Sequence, residues 1–221
     1  MQTSDIAQNL IAIKERVAAA CQRANRSPNE VTVIAVTKTQ LYSTIEAAFK
    51  EGLHDFGENR VQEAEEKIKR LSHINSRWHL IGHLQTNKVK TAVQLFDIIH
   101  SVDSIKLAEV INRNANNEIE VLLQVNVAEE GTKGGFSVAE LPSALKTTSK
   151  LPNLKVRGLM TIAPWVSDSE EVRPVFKRLK ELCDSLGLKH LSMGMTDDYE
   201  VAIQEGATMV RIGRAIFGAR S

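Results

Sequence analysis

KHLSMGMTDDYEVAIQEGATMVRIGRAIF, residues 189–217, holds two apolar runs, KHLSMGM (189–195) and TMVRIGRAIF (208–217), around a segment whose helix should start near Asp197. A strand, a crossover helix and a second strand in so short a span make a parallel, right-handed unit. The theme repeats upstream in VTVIAVTK (31–38), HDFGEN (54–59), RWHLIGH (77–83), DIIHSVD (97–103), EIEVLLQVNVA (118–128) and LKVRGLMTIA (154–163). Helical patterns separate them at STIEAAFKEG (43–52), RVQEAEEKIKRL (60–71), SIKLAEVINRNA (104–115), SVAELPSALKTTSK (137–150) and EEVRPVFKRLKELCDSLG (170–187). Eight strands alternating with helices predict the α/β class and a single closed (β/α)8 barrel of the TIM type, with an open doubly wound sheet as the competing architecture. Within 5–24, Ile6, Leu10, Ile13, Val17 and Cys21 recur at helical spacing and predict an extra N-terminal helix with one core-facing stripe. Pro142 and Pro174 fall inside helical patterns and blur those boundaries. No linker or low-complexity tract divides the chain, so residues 1–221 read as one domain.

Composition narrows the class of function. Hydrophobic residues make up 43% of 221, enough for one large core. The 28 basic and 27 acidic side chains leave a formal charge of +1, and no basic run interleaved with aromatics marks a nucleic-acid groove. Cys21 and Cys183 are too far apart for CxxC chemistry and lack zinc-site spacing, which points to a reducing cytoplasm. Lys14, Glu15 and Arg16 interrupt the one apolar candidate near the N-terminus, and no later run approaches the ~20 residues of a membrane span. A soluble, cytoplasmic small-molecule protein is expected.

In an α/β barrel the C-terminal strand ends form the active face. Lys38 ends the first run on the same side as Ile34 and Val36, so its ammonium would project from an apolar neighbourhood that lowers its pKa. Such a lysine supplies the neutral amine that forms a Schiff base; the plainer reading is a strand-end lysine that reaches out to water. Closing the barrel sets the last run beside the first and brings Arg211 next to Lys38, though a salt-bridged barrel arginine is the alternative. The hydroxyls of Ser192 and Thr196, the N–H groups at the following helix start and the amides after Gly213 could seat a phosphate, as loops after strands seven and eight of barrels do. An ordinary helix cap at Thr196 or Asp197 would use the same residues. Asn59, from GENRVQE (57–63), would point into the mouth near Lys38. His79 and His83 share a strand face but stand roughly 13 Å apart, which excludes a common metal and favours structural roles. EEGTKGGF (129–136) reads as a βα loop.

AVTKTQ, HDFGENRVQE, WHLIGHLQTNK, RGLMTIAP and HLSMGMTDDYEVAIQEGATMVRIGRAIFG, in this order from the first strand to the C-terminus, closely resemble the pyridoxal-phosphate homeostasis proteins. That family is similar to the N-terminal barrel of alanine racemase, fold type III among proteins of pyridoxal 5'-phosphate (PLP), without the second domain. The resemblance implies PLP held as a covalent aldimine on Lys38, Arg211 facing the pyridine nitrogen, and Ser192, Thr196, Gly213 and the Arg214 amide around the phosphate. Asn59 and Met160 would line the ring. Thr196 stands where many relatives would show serine and keeps the hydroxyl.

An arginine at the pyridine nitrogen weakens PLP as an electron sink, and a racemase needs an acid/base on the opposite face, which alanine racemase draws from its second domain. Only Tyr42 and Tyr199 exist here, and Tyr199 reads as a packing residue. The expected function is therefore non-enzymatic PLP homeostasis: buffering, sheltering or delivering the cofactor, with effects on amino-acid and keto-acid balance. A weak PLP-dependent racemase and a PLP-responsive regulatory protein are the alternatives. Partners beyond PLP would be PLP-dependent apo-enzymes or a regulatory protein, and a mouth complete in one barrel predicts a monomer.

Overall fold

The computed structural model describes residues 3–131 and 134–218. Eight parallel strands close into a barrel in chain order: β1 (Thr32–Val36), β2 (Asp55–Glu58), β3 (Arg77–Leu80), β4 (Ile98–Val102), β5 (Ile119–Gln124), β6 (Leu154–Met160), β7 (His190–Met195) and β8 (Met209–Ile212). β1 and β8 complete the ring, with Ile34 opposite Arg211 and Ala35 opposite Ile212. The open doubly wound alternative is thereby excluded.

The helices are α1 (Thr3–Arg23), α2 (Tyr42–Lys50), α3 (Val61–Arg70), α4 (Val89–Leu95), α5 (Ile105–Asn114), α6 (Leu141–Thr148), α7 (Arg173–Ser185), α8 (Tyr199–Gln204) and α9 (Arg214–Phe217). α6 and α7 each carry proline in the first helical turn, where its missing N–H has no intrahelical acceptor to lose. The prolines that blurred two boundaries thus mark the starts of two helices. α1 buries Ile6, Leu10, Ile13, Val17 and Cys21, as its spacing predicted, against α2, α8 and α9. Full burial of such aliphatic side chains contributes roughly 1.5–3 kcal/mol each.

One expectation needs correction. TMVRIGRAIF (208–217) is not one strand: β8 ends at Ile212, Gly213 turns the backbone to φ −115° and ψ −74°, and α9 follows with Ile216 and Phe217 buried. The run is apolar because strand and helix pack on one core. α4 was absent from the helical patterns, and Thr132 and Lys133 of the EEGTKGGF loop lie outside the described residues.

The main core lies between barrel and helices, whereas Ile34, Ile98, Leu122, Met160 and Met209 form a separate apolar cluster inside the ring. Inside the barrel the lining is also polar: His79, His100, Ser192 and Arg211 are all buried. No helix among the described residues is long and apolar enough to cross a membrane.

Candidate functional site

Lys38 stands just beyond β1, and the next residue, Thr39, has a φ of 65°. A β-branched residue in the left-handed region costs roughly 1–3 kcal/mol and persists where its surroundings fix it. Thr37 supplies that anchor. Its carbonyl accepts from the Gln40 N–H at 3.0 Å and from Lys67 Nζ at 2.6 Å, and its hydroxyl donates to Glu58 Oε1 at 2.7 Å. Lys67 Nζ also donates to Glu58 Oε1 at 2.6 Å, in an ion pair whose two side chains are buried. Glu58 shares the outward parity of Phe56 on β2, so the pair lies between the sheet and α3, next to the turn that carries Lys38.

Arg211, across the closing seam from Ile34, is buried, and burial brings its guanidinium down to about 10, partly offset by the Asp198 carboxylate. It is still protonated at neutral pH. Nη1 donates to the Ser192 carbonyl at 2.9 Å and to Ser192 Oγ at 2.7 Å, and Nη2 donates to the Thr161 carbonyl at 2.8 Å. Nε has no hydrogen-bond partner among the described residues.

Six of the eight residues singled out from the sequence, Lys38, Asn59, Thr196, Arg211, Gly213 and Arg214, line one cavity of about 320 Å³ at the C-terminal mouth. Ile81, Ile162 and Trp165 add apolar wall. Met160 and Ser192 do not line it: Met160 belongs to the apolar cluster within the ring, and Ser192 is buried between Arg211 and His100. The Gly213 N–H lies 3.4 Å (N to O) from Thr196 Oγ1. Arg214 is ion-paired to Asp197 beside it. Two larger depressions, of about 640 Å³ near Lys88 and about 550 Å³ near Asp168, share walls with this cavity but hold neither Lys38 nor Arg211. An amine, a fixed cation, a hydroxyl and the backbone at Gly213 and Arg214 between apolar walls suit a small, flat, anionic ligand with an electrophilic carbon.

The tyrosines lie elsewhere. Tyr199 is buried outside the barrel with the Arg16 guanidinium of α1 5.2 Å from its ring centroid, and Tyr42 lies under Arg70. His83 is exposed and 3.2 Å from Asp103, while His79 is buried between Asp55 and His100. Among the described residues no group of three His, Cys, Asp or Glu side chains could hold a metal. Sequence reasoning missed Thr37, Glu58, Lys67 and His100. The signal for Glu58 was its parity with Phe56, since a carboxylate at a core position requires a partner.

Residues 8–221 match the model of the family described as alanine racemase, N-terminal domain. The chain is 45% identical to the pyridoxal phosphate homeostasis protein of Aquifex aeolicus, over 96% of this chain and 97% of that one. To the protein of the same name from Escherichia coli K12 it is 41% identical, over 98% and 97%. The solved structure of PipY from Synechococcus elongatus with PLP bound superposes with a TM-score of 0.83 at 36% identity, covering 96% of this chain and all of that one.

Proposed function

Because the chain belongs to the alanine racemase N-terminal domain family, and within it to the pyridoxal phosphate homeostasis proteins, we propose that it binds PLP covalently through the Lys38 amine and buffers, shelters or delivers the cofactor in the cell. The observation that carries this reading is the convergence of Lys38, Arg211, Thr196 and Gly213 on one cavity from both ends of the chain. PLP supplies an aldehyde that an amine captures reversibly, and a pyridine ring that withdraws electrons when its nitrogen is protonated. Arg211 can only donate, so at the ring nitrogen it holds that atom unprotonated and restrains carbanion chemistry. The Thr196 hydroxyl and the N–H groups of Gly213 and Arg214 bind the phosphate. Asn59 borders the ring, and Met160 and Ser192 support the site from within the barrel. The placement of both tyrosines away from the cavity supports binding over racemisation. We further propose a cytoplasmic monomer whose partners are PLP-dependent apo-enzymes or a regulatory protein, and the buried free thiols of Cys21 and Cys183 support the reducing location.

The test is direct. The purified protein is given PLP, its visible absorption is recorded, and borohydride reduction is followed by peptide mapping. Modification at Lys38, absent in Lys38→Ala, is expected. A protein that takes up no PLP, or is labelled elsewhere, overturns the reading. Exchange of an amino acid's α-proton that vanishes in Lys38→Ala would make the protein a catalyst instead.

A further inference from the structure

A line of hydrogen bonds crosses the inside of the barrel. Arg211 Nη1 lies 2.7 Å from Ser192 Oγ, Ser192 Oγ 2.9 Å from His100 Nδ1, His100 Nε2 3.0 Å from His79 Nδ1, and His79 Nε2 2.9 Å from Asp55 Oδ1. It links four strands to β8 and ends on Asp55, the first residue of β2, whose side chain is 21% exposed. The two ends decide how the protons are arranged. Arg211 can only donate and the Asp55 carboxylate can only accept. With both histidines neutral, one order satisfies every link: Arg211 donates to Ser192, Ser192 to His100, His100 through Nε2–H to His79, and His79 through Nε2–H to Asp55. Burial, reinforced by the guanidinium charges of Arg211 and Arg77, holds His100 well below the ordinary histidine range, which agrees with a neutral ring. In this order the Ser192 proton is committed to His100, and the Ser192 hydroxyl has none to offer a phosphate.

We propose that Ser192, His100 and His79, anchored on Asp55, are positioning residues that clamp the Nη atoms of Arg211 and leave its Nε edge for the ligand in the mouth. Among the described residues the guanidinium is otherwise hydrogen-bonded to two backbone carbonyls, of Ser192 and Thr161, so the hydroxyl contact is what couples its orientation to the far side of the barrel. The consequence for PLP rests on the function proposed above. The proton order does not.

Two measurements separate these layers. In ligand-free protein labelled with ¹⁵N-histidine, side-chain correlations should show His79 and His100 as neutral Nε2–H tautomers at pH 8. An Nδ1–H tautomer at His100, or a charged His79, overturns the order. In PLP-loaded protein, His100→Phe should move the visible absorption band and weaken PLP binding about tenfold, the equivalent of one hydrogen bond to a charged group. His100→Gln, whose amide can accept from Ser192 and donate to His79, should restore both. Should His100→Phe fail to fold, Asp55→Ala at the outer end of the line should shift the band in the same direction. Parent-like band and affinity in the folded variant overturn the positioning role. Failure of the parent to take up PLP overturns the functional reading and the coupling to PLP with it, and leaves the tautomer result standing.

Discussion

Replacing Lys67 with methionine removes one half of the ion pair beside the Lys38 turn and keeps most of the side-chain volume. Glu58 is fully buried, and among the described residues its Oε2 has no hydrogen-bond partner, so loss of the ammonium leaves there a buried carboxylate held by the Thr37 hydroxyl alone. Removing one partner of a buried pair costs about 3–5 kcal/mol. For a chain of this size that lowers Tm by roughly 6–20 °C. The Thr37 carbonyl keeps the Gln40 N–H but loses the stronger donor, so the strained Thr39 turn should relax and PLP uptake should weaken as well. Adding Glu58→Gln removes the stranded charge while keeping an acceptor for Thr37, and the double variant should recover to within about 1–2 kcal/mol of the parent. Urea denaturation followed by circular dichroism reads all three proteins. A Lys67→Met variant within about 1 kcal/mol of the parent would refute the reasoning, as would a double variant no more stable than the single one.

His100 is held neutral below its unfolded pKa of about 6.5, so its contribution to stability is complete above that pH and is lost as pH falls toward the folded value, by at most about 1.4 kcal/mol per unit. His190 acts in the same sense, and Asp198, whose carboxyl burial raises, acts in the opposite one at lower pH. Urea midpoints between pH 8 and 5.5 should therefore fall, less steeply in His100→Gln; parallel curves would count against the assignment. Gly158→Ala would place a Cβ 1.9 Å from the His190 carbonyl oxygen of the neighbouring strand, and a loss of about 3 kcal/mol, the upper end of overpacking, is expected in the same assay. Trp165 is 89% exposed at the mouth whereas Trp78 is buried, so PLP should quench mainly Trp165 emission, and equal quenching in Trp165→Phe would place the ligand elsewhere.

The barrel was legible because its strands carry their own record. VTVIAVTK is an apolar, β-branched run bounded by Thr37 and Lys38, and closing the ring pairs it with the last strand, where the structure sets Ile34 opposite Arg211. Six site residues could be grouped because each belongs to a strand end or the loop after it, where topology alone determines neighbours. Glu58 with Lys67 was hidden because the pair depends on how α3 rotates over β2. Ser192 was grouped with the phosphate seat by its hydroxyl, but the structure sets that hydroxyl below the cavity, on a partner from β4 on the opposite side of the ring. The helix inside TMVRIGRAIF was hidden for a different reason: its buried face continues the apolar pattern of the strand, and only a backbone turn at Gly213 divides them.

α1 has its own consequence for how the molecule is made. Its Asn9 Nδ2 donates to the Ile216 carbonyl of α9 across 207 positions of sequence, and its apolar stripe rests on α8 and α9, the last helices to be synthesised. Contacts of such separation are costly to form and come late in folding. Until they form, a nascent chain carries an amphipathic helix that lacks the α8 and α9 part of its packing surface, beside a strand whose edge awaits β8. The interval before closure is thus when the chain is most open to chaperones and to aggregation, and mutations on the α1 stripe should reduce yield during synthesis more than they weaken binding in the finished barrel.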